Sequence, residues 1–476
     1  MSPRSCLLAA VAVLACAYTA QALVVGIDVG SEYIKVALVK PGTPFEIVHN
    51  TNSKRKTEDM VAFYNGQRLY AGDAVNLATR KPHLVFSGIR ELLGRNLTHP
   101  TVTELVAARR PAFNIVEAPG ARGTLAVQAG TGKGESGEKP VYSVEEVMAM
   151  VLTYIRGIAS DTAGSKIRDV VLTVPMYFTQ NERQALIDAA ELAGLKVLSL
   201  VEDNTAAAIQ YGIYRVVENQ TQHTLIYNMG STGTQVSIVA STSYKGRDRG
   251  VKKDIGLSTV VGKGWDATLG GAAFTDRALD LLVKVVNEKH MNVSGRGHVH
   301  ACTGHRSVAF FPVPTPTPTP TPTRFRPVHR LRDDADGLCF VVVARLQGGD
   351  IRSYVRPMAK LRKGAHKTKE VLSANEEFVL FIESLTPEID FRTIVARAEF
   401  EAASSDLLDR VTGPIASALA AAKLSLEDID EVEVIGGGVR IPAVQARLKA
   451  LFGEYVPCKR GEGCVPAPCG ATNLTQ

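Results

Sequence analysis

Val24-Val25-Gly26-Ile27-Asp28-Val29-Gly30-Ser31 runs into Ile34-Lys35-Val36-Ala37-Leu38-Val39. Two β-rich runs around a glycine predict strands joined by a tight turn, where Gly30 lets the backbone approach a ligand closely. Two hundred positions on, Thr224-Leu225-Ile226-Tyr227-Asn228-Met229-Gly230-Ser231 runs into Val236-Ser237-Ile238-Val239. The match is position by position: Asp28 with Asn228, Gly30 with Gly230, Ser31 with Ser231, Val36 with Val236. One such elbow alone reads as an ordinary hairpin. The matched pair predicts a duplicated, two-lobed α/β architecture in which each lobe opens with a phosphate hairpin. Backbone amides and hydroxyls at such turns form anion nests, and an acid beside them can hold Mg2+ through water.

A third glycine turn lies in Val432-Glu433-Val434-Ile435-Gly436-Gly437-Gly438-Val439-Arg440-Ile441-Pro442. It reads as a buried strand, a turn, then a helix opening at Pro442 and continuing through Val444, Leu448 and Leu451–Phe452. Glycines there permit flat stacking of a base or ribose, and a helix N-terminus favours phosphate. Between the elbows, Ser143-Val-Glu-Glu146 and Thr179-Gln-Asn-Glu182 are capping boxes. The second opens a helix through Leu186, Ala189–Ala190 and Leu192, stopped by Gly194. Strand Val170–Pro175 precedes it and strand Val197–Val201 follows, so strands alternate with helices in a layered α/β core.

Of the formal net charge of +6, +4 lies in residues 292–348 and +1 is Arg4, leaving a nearly neutral body among the 476 residues. That balance argues against nucleic acid as a partner. Arg4, an apolar run from Cys6 to Ala17, and Ala20-Gln21-Ala22 read as a secretory signal peptide cut after Ala22. The run is short for a bilayer, and no later stretch predicts a transmembrane segment. Sequons stand at Asn96, Asn219, Asn292 and Asn473, so the expectation is a lumenal glycoprotein. Five of seven cysteines outlast the signal, Cys302, Cys339, Cys458, Cys464 and Cys469, none in the body of the fold and none at zinc spacing. Residues 292–348 hold an alternating Pro-Thr tract from Pro314 to Pro322, flanked by His298, His300, His305 and His329, which read as solvated linker. That stretch and the Cys-, Pro- and Gly-rich tail after Gly453 read as insertions or misplaced exon boundaries.

Ile27-Asp28-Val29-Gly30-Ser31, Leu172-Thr-Val-Pro-Met-Tyr-Phe178, Glu202-Asp-Asn-Thr-Ala-Ala-Ala-Ile-Gln-Tyr-Gly212 and Gly436–Pro442 together resemble the nucleotide-binding domain of the 70-kDa heat-shock chaperones, within their large lumenal branch. The resemblance covers about residues 24–290 and 350–453, and implies an actin-like (ribonuclease H-like) fold binding ATP or ADP with Mg2+. It implies nucleotide-binding lobe I over 23–215 and lobe II over 216–291 and 349–453, with the signal peptide at 1–22, the 292–348 insert and the 454–476 tail outside the pattern. Asp28 would orient magnesium-bound water, with Asp203 in the position of the family's catalytic Glu as the second metal-side acid. Gly30, Ser31 and Glu32 would sit at the phosphates, and Gly230, Ser231 and Thr232 would form the second phosphate loop. Lys369, Ser373, Gly437, Gly438 and Arg440 would contact the nucleoside. Read from the residues alone, Lys369 is a solvated helix charge and Asp203 a helix N-terminal acid.

Three departures matter. Asn228 stands where the family has Asp, and an amide supplies no negative charge for magnesium and accepts no proton. Arg90, in Ile89-Arg90-Glu91-Leu92-Leu93-Gly94, aligns with the family's catalytic Lys and replaces a point charge with a planar fork. Glu370 stands where classical members place an Arg against adenine. The expectation is an ATP-binding chaperone-family protein of the endoplasmic reticulum lumen, at most a slow ATPase. Its expected partners are a classical lumenal heat-shock chaperone, on which it would exchange nucleotide, and unfolded secretory proteins. The alternatives are a small-molecule kinase on the same actin-like fold and a non-functional truncated product, the latter suggested by the proline tract, the altered tail and Asn228.

Overall fold

The computed structural model describes residues 23–40, 45–109, 111–120, 123–129, 140–212, 220–248, 251–291, 350–387 and 389–453. The expected signal peptide, the 292–348 insert, the 454–476 tail, the sequons at Asn219, Asn292 and Asn473, and all seven cysteines lie outside these residues.

Both elbows form hairpins. β1 (Val24–Val29) and β2 (Tyr33–Val39) pair antiparallel, with Ile27 opposite Val36, Asp28 opposite Lys35 and Val29 opposite Ile34. Val25, Ile27 and Val29 point into the core while their neighbours stay partly exposed, the period-two pattern of a strand with one buried face. Ile27 is 1% exposed, so truncating it to Ala costs about 2–5 kcal/mol. β1 then pairs in parallel with β3 (Asp169–Val174), which pairs in parallel with β4 (Lys196–Glu202).

Parallel neighbours need crossovers, and helices supply them. α1 (Val144–Ala163) starts at a reciprocal cap: Glu146 N donates to Ser143 Oγ (3.1 Å), and Ser143 N donates to the Glu146 carboxylate (2.7 Å). It ends at Gly164, in the left-handed region at φ 68°. α2 (Gln180–Leu192) opens where Glu182 Oε2 accepts from both the backbone N (2.6 Å) and the hydroxyl (2.8 Å) of Thr179. Its apolar face runs through Ala189 and Ala190, but Leu192, expected on that face, is 63% exposed. α3 (Asp203–Gly212) follows β4 directly.

The second half repeats the plan. β5 (Gln222–Met229) pairs antiparallel with β6 (Thr234–Asp248), placing Tyr227 opposite Val236, Asn228 opposite Gln235 and Met229 opposite Thr234. This is the register of the first hairpin, residue for residue. β7 (Val251–Asp266) extends the sheet beyond β6, and β8 (Glu431–Ile435) lies parallel to β5 as β3 lies parallel to β1. α4 (Gly271–Val286) and α5 (Val355–Leu372) pack over this half, and α6 (Gly413–Ala422) lies against β7. That contact is close because Gly264 has no side chain: a Cβ there would come within 2.1 Å of Pro414 O. After β8 the chain turns through Gly436, at φ 94°, into α7 (Pro442–Phe452).

Each half has its own apolar core, one built from residues between Val25 and Leu195, the other from residues between Leu225 and Leu448. Among the described residues no helix is long and apolar enough to cross a membrane.

Candidate functional site

A cleft of about 850 Å³ opens between the halves, where the turns after β1, β5 and β8 converge. All the residues singled out from the sequence line it: Asp28, Gly30, Ser31, Glu32, Arg90, Asp203, Asn228, Gly230, Ser231, Thr232, Lys369, Ser373, Gly437, Gly438 and Arg440.

The two glycine turns touch. Thr232 Oγ1 lies 3.1 Å from Ser31 Oγ, a hydrogen bond across the two halves. Gly30 can carry no side chain, since a Cβ would meet Tyr33 O at 2.3 Å. The second turn closes when Gly230 N donates to Gly233 O (2.9 Å), and the start of α4 docks on it through Gly271 N to Gly230 O (3.0 Å) and Ala272 N to Ser231 O (2.7 Å). Glu32 faces His366 Nδ1 at 3.5 Å, on α5 of the opposite half.

The acids on the first half differ in setting. Asp28 is partly exposed, accepting from Thr173 Oγ1 (3.2 Å) and paired with Lys35 beside it on the hairpin. Asp203, the first residue of α3, is nearly enclosed, and its Oδ2 accepts from Gln235 Nε2 (2.8 Å). Gln235 Oε1 in turn accepts from Met176 N (2.8 Å), so the glutamine is fixed at both ends. Asp203 Oδ1 has no hydrogen-bond partner. Burial raises the Asp203 pKa; Arg90 opposes that shift, Asp28 adds to it, and the bonds from Gln235 and Thr173 oppose it, with an upward net result.

Arg90 is buried beneath the turns. It donates to Val29 O (2.9 Å) in one half and to Thr232 Oγ1 (3.2 Å) in the other, and pairs with Glu91 Oε1 through Nε (3.1 Å) and Nη2 (2.9 Å). Burial works against its charge, but the Glu91 carboxylate more than offsets this and the guanidinium pKa rises. Above the cleft, Lys369 Nζ donates to Gly271 O (3.0 Å) and Ser373 Oγ donates to Lys369 O (3.0 Å). His366 Nε2 lies 3.2 Å from Glu370 Oε1, and that hydrogen bond chiefly holds the Glu370 carboxyl below its usual range. On the β8 side, Gly438 packs so tightly on Met229 that a Cβ would meet its Cγ at 2.6 Å.

Sequence reasoning missed Lys35, Thr173, Gln235, Glu91, Tyr177 and His366, all but Glu91 lining the cleft and Glu91 lying just behind it. For one of them a signal existed: Gln235 occupies in the second hairpin the position of Lys35 in the first.

The donor set fits magnesium held through water. Asp28 and Asp203 offer two carboxylates, one with an orphaned buried oxygen, and among the described residues no group of three His, Cys, Asp or Glu side chains could cage a metal. Mg2+ commonly keeps several waters and takes one or two carboxylates plus substrate phosphates. The glycines at 30, 230 and 436–438 leave bare backbone facing the cleft, the kind of surface that suits an anion.

Residues 24–297 and 341–460 match the family model described as Hsp70 protein. The unmatched residues between them fall inside the low-complexity stretch recognised above. Hypoxia up-regulated protein 1 of Xenopus laevis is 34% identical over 439 residues, covering 92% of this chain and 58% of the relative. The Danio rerio protein of that name is 34% identical over 438 residues, 92% of this chain and 38% of the relative. The Homo sapiens protein is 34% identical over 433 residues, 90% of this chain and 37% of the relative. The chain thus spans well under two thirds of these relatives.

Proposed function

The chain belongs to the Hsp70 family, whose nucleotide-binding domain has the actin-like, ribonuclease H-like fold, and from that premise we propose a nucleotide-binding chaperone-family protein of the endoplasmic reticulum lumen. It binds ATP and ADP with Mg2+ in the interlobe cleft and hydrolyses ATP slowly. It assists folding of secretory proteins under stress, as a nucleotide-exchange partner of a classical lumenal heat-shock chaperone. The observation that carries the reading is the Ser31–Thr232 contact, which puts both glycine turns on one cleft.

Lobe I spans 23–215, and lobe II spans 216–291 and 349–453. Amides and hydroxyls of Gly30–Glu32 and Gly230–Thr232 grip the phosphates, and Lys369, Ser373, Gly437, Gly438 and Arg440 border the nucleoside. Asp28 and Asp203 hold magnesium through water, and the metal, when bound, neutralises phosphate charge. Binding outlasts turnover because the second hairpin offers Asn228 and Gln235, neither of which carries charge, and because Arg90 is already matched by Glu91. Losing one charged group at such a site costs several kcal/mol of transition-state stabilisation, about two to three powers of ten in rate. The lumenal address rests on the amino-terminal signal and on the exposed sequon at Asn96, whose Oδ1 accepts from Thr98 Oγ1 at 3.0 Å.

The test is isothermal titration of the folded chain with Mg-ATP and Mg-ADP. Micromolar or tighter binding of both, with turnover far below one per second, is the expected result. A folded sample that gives no heat with either would overturn the reading.

A further inference from the structure

The two halves also meet where charge depends on pH. Glu32 ends the first glycine turn, and His366 stands on α5 of the other half with Nδ1 3.5 Å from Glu32 Oε1. The second ring nitrogen, Nε2, lies 3.2 Å from Glu370 Oε1, one turn along α5. One imidazole is thus placed between two carboxylates, one from each half. A neutral imidazole has a single N–H, so it donates to one carboxylate and turns a lone pair on the other. An imidazolium donates from both nitrogens, and both carboxylates attract its charge.

The neighbours leave the imidazole to do the switching. Tyr33 is pushed well above the ordinary tyrosine range, chiefly by burial and then by Glu32, Glu370 and Glu58, so it stays neutral. The bond from His366 chiefly holds the Glu370 carboxyl below its usual range, with Lys369 and Lys56 adding to the pull, so Glu370 stays ionised. Those lysines, and Lys363 three residues before His366, oppose charge on the ring; Lys56 lies over the Tyr33 ring at 5.7 Å, and Lys369 donates to Gly271 O. From α4, Asp276 is paired with Arg362 at 2.7 Å. The strand Glu377–Thr386 meets α5 through Leu380 and Ile382, and the helical turn Pro82–Leu84, which also packs on α5, carries His83.

Resting on the nucleotide-binding reading, we infer that His366 is a proton-gated clasp: charged, it ties the first glycine turn to α5 and slows nucleotide release, and neutral, it lets the halves part. Glu32 and α5 both line the cleft, so this contact must open for the halves to separate around a ligand. The side chains of His366 and Glu32 are 29% and 35% exposed, so solvent delivers the proton without opening the cleft. Histidine ordinarily changes charge between about pH 5 and 8. The clasp is therefore made on the acid side and lost as pH rises.

The experiment follows release of Mg-ADP carrying a fluorescent ribose ester from the full chain, chased with excess unlabelled ADP, at pH 6 and pH 8. Circular dichroism confirms the fold of each protein. Release from the parent should be about three- to fivefold slower at pH 6, the range that half-exposed ion pairs support. His366→Gln, which never charges, should release at pH 6 as fast as the parent does at pH 8. His366→Arg, always charged, should release slowly at both. Any other group that changes charge in this window does so in all three proteins alike, so the differences among them isolate His366. A parent rate that ignores pH, or the same pH dependence in His366→Gln, overturns the inference. A folded parent that binds no nucleotide rejects the nucleotide reading itself, and small-angle scattering of the unliganded chain then decides the clasp. A radius of gyration smaller at pH 6 than at pH 8 in the parent but not in His366→Gln upholds it; an equal change in both, or none, overturns it.

Discussion

The two hairpins share a register and differ in chemistry. In the first, Asp28 faces Lys35, a half-exposed ion pair at the cleft edge; in the second, Asn228 faces Gln235, a neutral pair whose glutamine is 5% exposed and anchors Asp203. The backbone geometry of the turn is present twice, and a charged pair stands beside it only once. Duplication of a turn preserves a binding surface because amides depend on backbone alone, whereas reactivity depends on side chains that are free to diverge.

The equivalent glycines provide the strongest way to break this comparison. A Cβ at Gly30 would lie 2.3 Å from a backbone oxygen, while at Gly230 the nearest such atom is at 3.5 Å. Gly30→Ala should therefore distort its turn and lower nucleotide affinity by about a hundredfold or more, whereas Gly230→Ala should stay within about threefold. Equal effects in a titration would mean the turns are not differentiated as described.

Second in size is the pH response of the first hairpin's buttress. Asp59 N donates to Glu32 O (3.0 Å), and the Asp59 carboxyl is buried against Arg90 N (3.4 Å). Burial pushes it up to about 7, against the pull of Arg90 and with some help from Glu91. A raised folded-state pKa means the native state holds a proton that the unfolded chain has already lost. Stability is therefore full below the ordinary aspartate range and falls as pH rises toward 7, by up to about 1.4 kcal/mol per unit of displacement. Thermal melts at pH 5 and pH 8 should show the parent losing several degrees, about what a few kcal/mol costs, and Asp59→Asn losing little. A parent melting curve flat across that range would refute the assignment.

Restoring charge to the second hairpin sharpens the contrast directly. Asn228→Asp should raise single-turnover ATP cleavage about tenfold or more with little change in affinity; an unchanged rate would mean Asn228 is not what limits turnover. The smallest effect concerns Lys35, whose half-exposed pair with Asp28 is worth at most about 1 kcal/mol. Lys35→Met should leave the melting temperature almost unmoved while lowering the Mg2+ concentration for half-maximal nucleotide binding two- to threefold, read by a magnesium titration.

What the sequence made legible was local. The hairpins follow from β-branched residues around Gly30 and Gly230, and the helix starts at Ser143 and Thr179 follow from carboxylates three residues on. What it hid was tertiary. Arg90, Glu91 and Arg95 are near neighbours, but Glu182, which pairs with Arg95, lies far along the chain, and Thr232, which accepts from Arg90, comes from the other half. Gln235 looks like any polar strand residue until Met176 and Asp203 close on it. Leu192 misled in the other direction, since helical period alone cannot say where the neighbouring surface ends.

The central claim is that two turns from the two halves enclose one polyphosphate. Amide hydrogen exchange of the intact chain with and without Mg-ATP tests it most directly. Gly30–Glu32 and Gly230–Thr232 should gain protection together, at the same nucleotide concentration. Protection at one turn alone, or at neither while nucleotide is bound, would contradict it.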